Sequence, residues 1–129
     1  MMKEVVFVGA GVIVVSAIYA VVRYRMAKRE KDEAIEKVFL DEVSVGEIKN
    51  WFVGKLVDEN QKGVVFYPTR ENAARWNVKI PASSNVLIQI VYDTKQDKVT
   101  AYREIAFTEL GEKLKALLDG NNGTLVIDK

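Results

Sequence analysis

The chain has 129 residues, 49% of them hydrophobic and 29% charged, with 19 Lys or Arg against 18 Asp or Glu. It contains neither cysteine nor histidine, which excludes disulfides, thiolate nucleophiles, iron–sulfur clusters and cysteine-rich zinc sites, and removes the commonest general base and transition-metal ligand. Residues 32–129 carry a net charge of −3, so a nucleic-acid partner is not expected, and no phosphate-binding or EF-hand motif calls for a cofactor or metal.

In chain order the first element is residues 5–22, an uncharged and almost wholly apolar run ended by Arg23, Arg25, Lys28, Arg29 and Lys31. As a helix, 18 residues span about 27 Å, close to the hydrocarbon thickness of about 30 Å. Its many β-branched residues form helix poorly in water, but lipid leaves the backbone no other way to satisfy its hydrogen bonds. A cleavable signal fits less well, because Ile18 stands where a cleavage site at Ala20 needs a small residue. Residues 1–24 are therefore expected to be a single-pass transmembrane signal-anchor. The positive-inside rule puts the rest of the chain in the cytoplasm, at the inner membrane if the host is bacterial. The basic collar of Arg23, Arg25, Lys28, Arg29 and Lys31 is expected to face anionic lipid. Gly9, Ser16 and Ala20 lie roughly along one side of the anchor and allow helix self-association.

Residues 25–40 lack Gly and Pro, and Lys28/Asp32, Arg29/Glu33 and Glu33/Lys37 form opposite-charge pairs at i,i+4. With Ala34, Ile35, Val38 and Phe39 as a narrow apolar strip, this segment predicts a helical juxtamembrane stalk, through which, with the anchor, a homodimer can form. Residues 41–129 are then a separate soluble α+β domain. Ser44 as N-cap and Glu47 three residues later make a capping box for a short helix over residues 45–53. Trp51 beside its apolar face is expected in the core, and residues 58–63 form a loop.

The centre has the pattern of sheet. Residues 63–68 predict a strand closed by Pro68, and residues 85–93 a central one, with Val86, Ile88, Ile90 and Tyr92 on one face and Leu87 and Val91 flanking Gln89 on the other. A polar loop then leads to a strand over residues 99–107, making an antiparallel hairpin. Thr108 is expected to cap a helix carrying Leu110, Leu114, Leu117 and Leu118, with Gly120 supplying positive φ at its end. Residues 124–127 close the fold as a strand, after an Asn122-Gly123 turn. The whole predicts an antiparallel sheet of three to five strands packed with helices.

Between these elements, Thr69 caps a helical turn over residues 70–76, followed by an edge strand over residues 78–80. Arg70, Arg75, Trp76 and Asn77 place a cationic fork, an aromatic plate and an amide close together, which suits a small anion or a peptide. The leading expectation is a membrane-tethered, non-enzymatic interaction module, recruiting a protein partner or serving as accessory subunit of a membrane assembly. The alternative is a ligand-sensing domain using those four residues. A carboxylate-based hydrolase ranks third, because the acidic pairs Asp41/Glu42 and Asp58/Glu59 diverge on either helix or strand.

Overall fold

Residues 11–68, 85–121 and 123–127 are described by the computed structural model, with side chains from Ser16 onward. They form an α+β fold of three helices and one mixed five-stranded sheet. In chain order the elements are α1 (Gly11–Glu30), β1 (Lys37–Val43), α2 (Val45–Phe52), β2 (Gln61–Phe66), β3 (Val86–Asp93), β4 (Lys98–Leu110), α3 (Glu112–Gly120) and β5 (Thr124–Ile127). The sheet order is β1-β4-β3-β2-β5.

β3 is central and buried along nearly its whole length, as its two apolar faces require. It forms the expected antiparallel hairpin with β4, Val86 opposite Ala106 and Asp93 opposite Lys98. The Asp93 carboxylate accepts from the backbone N–H groups of Lys95 and Gln96 at 2.9 and 2.8 Å, closing the connecting turn. β2 lies antiparallel between β3 and β5, so Gly63 belongs inside a strand rather than to a loop.

The sheet separates two apolar layers. Ile88, Ile90, Tyr92, Val64 and Phe66 face α1. Leu87, Val91, Ile105 and Leu125 face α2 and α3, which contribute Ile48, Phe52, Leu114 and Leu118. Ser44 caps α2 as its sequence predicts, its hydroxyl accepting from Glu47 N–H at 3.1 Å.

Several expectations meet a different structure. Among the described residues no helix is long and apolar enough to cross a membrane. The second half of the apolar run lies instead on the sheet, with Ala17, Ile18, Ala20 and Val21 buried there. The α1-facing layer of β2 and β3 offers these side chains an apolar environment that serves in place of lipid. Residues 1–10, the start of the predicted anchor, lie outside the described residues.

The helical stalk over residues 25–40 does not form. α1 ends at Glu30, Asp32 takes a left-handed φ of 54°, and the chain re-enters as β1, parallel to β4. The sheet is therefore mixed rather than antiparallel. Local charge pairs worth a few tenths of a kcal/mol each lose to burial of Val38 and Leu40 under the second layer and to a ladder of backbone hydrogen bonds.

β4 runs on through Thr108 to Leu110, because β1 continues beside it to Val43; α3 starts only after Gly111, with no side-chain cap. The positive φ after α3 falls on Gly123, at 78°, and not on Gly120. Gly123 N–H donates to Leu118 O at 2.8 Å, so the left-handed residue comes three positions later than the leucine spacing implies.

Candidate functional site

α1 is held to the sheet by apolar packing and by a band of polar contacts at its C-terminal half. The Arg25 guanidinium donates to the Glu104 carboxylate and, at 2.7 Å, to the Tyr102 hydroxyl. Tyr102 in turn donates to Glu104 at 2.7 Å. The Tyr24 ring stacks on Tyr102 with centroids 4.9 Å apart. Burial alone would lower Arg25, but Tyr102 and Glu104 hold its guanidinium above its ordinary range. Burial pushes the Tyr102 hydroxyl up strongly, and the bond to Glu104 adds to this against the pull of Arg25.

One strand away, Tyr92 donates its hydroxyl to Asp97, and burial followed by that bond raises it as well. Arg23 closes over the same residue, donating to Asp97 O at 2.9 Å and pairing with its carboxylate at 3.3 Å. Lys28 pairs with Glu33 at 3.0 Å and lies over the Tyr24 ring. Their hydrogen bond raises the Lys28 ammonium and lowers the Glu33 carboxyl.

Three members of the predicted lipid-facing collar, Arg23, Arg25 and Lys28, thus have protein partners, while Arg29 and Lys31 are exposed to solvent. The signal for this lay in the sheet. Tyr92, Tyr102 and Glu104 alternate onto the α1 face, a polar end to an otherwise apolar layer.

A second polar group lies on the opposite face, beneath α2. Gln89, buried in the central strand, donates to Ile48 O at 2.8 Å and accepts from Arg103 Nε at 2.8 Å. Trp51 stands edge-on to Phe52, with the Arg103 guanidinium 5.2 Å and the Lys55 ammonium 4.7 Å from its ring centroid. Burial lowers Arg103, opposed by the charges of Glu47 and Glu36. One Arg103 nitrogen, Nη2, is buried with no hydrogen-bond partner among the described residues.

Arg70, Arg75, Trp76 and Asn77, the predicted anion or peptide site, lie outside the described residues. Among the described residues no group of acidic side chains is arranged to hold a metal ion. Asp41 and Glu42 are successive residues of β1 and face opposite ways.

Where the described surface departs from an ordinary polar exterior, it does so with apolar side chains. Tyr19 and Met26 are exposed by 63% and 57% on the outer side of α1, and Phe39 by 65% at the middle of edge strand β1. Val53 and Val57, beyond α2, are also exposed. No family model matches the chain, and no curated protein or solved structure matches it.

Proposed function

We propose that the chain is a non-enzymatic interaction module held on the cytoplasmic face of a membrane, recruiting a protein partner or serving as an accessory subunit. The observation that carries this is the outer side of α1. Tyr19 and Met26, two helical turns apart and on the same side, stand in solvent at the end of an apolar run that begins at Val5. A helix with one side committed to a sheet and another bearing apolar and aromatic residues suits the plane of the lipid headgroups, where Tyr is well placed. Exposed Arg29 and Lys31 add attraction to anionic lipid.

Lying in the interface asks less of the fold than crossing the bilayer. A single pass over residues 5–22 requires Ala17, Ile18, Ala20 and Val21 to leave the sheet, whereas an interfacial helix keeps them buried. Confinement to a thin layer raises the effective concentration of the globule for neighbours on the same membrane, so modest contacts suffice for recruitment.

The test uses single cysteines at Met2 and Lys129 in full-length protein bound to sealed vesicles of phosphatidylcholine with one-fifth phosphatidylglycerol. Both are expected to react with an impermeant maleimide added outside. Protection of Met2→Cys alone would mean a crossing helix, and failure to float with vesicles would end the membrane reading altogether.

A further inference from the structure

We propose that the free edge of β1 pairs with β1 of a second copy of this chain, antiparallel and centred on Phe39. Among the described residues β1 ends the sheet, with β4 on one side and no strand on the other. Its hydrogen bonding to β4 begins where Glu104 N–H donates to Glu36 O at 2.9 Å. In a parallel ladder alternate residues turn their N–H and C=O the same way, so Lys37 and Phe39 turn theirs toward the open edge.

An unpaired edge invites another strand, and charges are the usual protection. Here the charges are spaced so that a second copy meets its opposite. With Phe39 facing Phe39 of the second copy, Lys37 faces Asp41, Asp41 faces Lys37, and Val38 faces Leu40. Shifting the centre to Leu40 sets Phe39 against Asp41 and Val38 against Glu42. Shifting it to Val38 sets Lys37 against Phe39 and Glu36 against Leu40. Of these three registers only the Phe39-centred one joins opposite charges and like apolar residues from Lys37 to Asp41, with Glu36 facing Glu42 just outside that span.

The two faces of β1 agree with this pairing. Val38 and Leu40 already pack on the second core layer. Phe39 sits opposite Ala106, on the α1 side, where it is two-thirds exposed. Two Phe39 rings meeting across the junction cover each other. A two-fold axis perpendicular to the sheet relates antiparallel edges, so the dimer is a continuous ten-stranded sheet with both α1 helices on the same side.

The experiment is sedimentation equilibrium of the full chain in density-matched detergent, with circular dichroism to verify the fold of each variant. Wild type is expected to form dimers in a concentration-dependent way. K37E and D41K, each placing like charges opposite one another twice, should each weaken the dimer at least about tenfold, and the K37E/D41K double variant should restore it. F39K should abolish it. A monomeric wild type, which would leave the edge to a strand from a different protein, overturns the proposal, and so does a double variant that stays as weak as either single one.

Discussion

At the scale of single residues the tightest fit is at Gly63. A Cβ there would sit 2.8 Å from two ring carbons of Phe52, which is wholly buried, so glycine lets α2 close on β2. Gly63→Ala should cost about 1–3 kcal/mol in urea unfolding, and adding Phe52→Leu should recover part of it. Buried Arg103 poses a different problem. Arg103→Met strands the Gln89 carbonyl and should lose about 1–3 kcal/mol, while adding Gln89→Leu removes that stranded acceptor and should recover part of the loss, Ile48 O giving up its Gln89 donor. A double-mutant cycle measures the coupling.

The tyrosines set the alkaline limit. Tyr92 and Tyr102 keep their protons in the fold at a pH where an unfolded tyrosine, near 10, has lost its own. The folded chain then binds more protons than the unfolded one. Their contribution is therefore complete below pH about 10 and is lost as pH rises above it. Melting temperatures followed by circular dichroism should fall between pH 9 and 11. Tyr102→Phe should melt lower than wild type at pH 8 yet lose less over that interval.

At the scale of elements, legibility followed how strongly one face was patterned. β3 and its hairpin with β4 were readable because alternation over eight residues has one solution once both faces are apolar. α2 was readable from Ser44 and Glu47. β1 was not, because Lys28, Asp32, Glu33 and Lys37 carry helical charge spacing, and the partner that makes residues 37–43 a strand lies 67 positions later. The end of β4 failed for the same reason, since Thr108 is a good cap only if no neighbouring strand claims it. The candidate site was less legible still: the clamp around Arg25 joins residues 79 positions apart, and the expected anion or peptide site of Arg70, Arg75, Trp76 and Asn77 lies outside the described residues.

α1 offers the sharpest element-level test. Ala17 is wholly buried and Ala20 nearly so, so Ala17→Leu should overpack the helix–sheet junction and cost about 1–3 kcal/mol in denaturant unfolding. A helix that merely passed through lipid would tolerate the change without loss.

For the whole molecule, α1 is the described cover of one sheet face. Removing residues 1–30 would bare Val64, Phe66, Ile88, Ile90 and Val126 together, where burial of a single such side chain stabilises by about 1.5–3 kcal/mol. The fragment 31–129 should therefore aggregate or lack dispersed amide resonances in NMR spectra. A well-dispersed spectrum from it would instead mark residues 31–129 as a separate soluble domain.

The parallel pairing of β1 with β4 has a consequence for how the chain comes off the ribosome. α1 is made first, yet the surface that receives it is assembled from strands ending at Leu110 and Ile127. At about 5–20 residues per second, the nascent apolar helix goes for several seconds without its intramolecular host. During that interval its apolar side chains have no sheet to bury them, and the speed of translation sets how long they stay so.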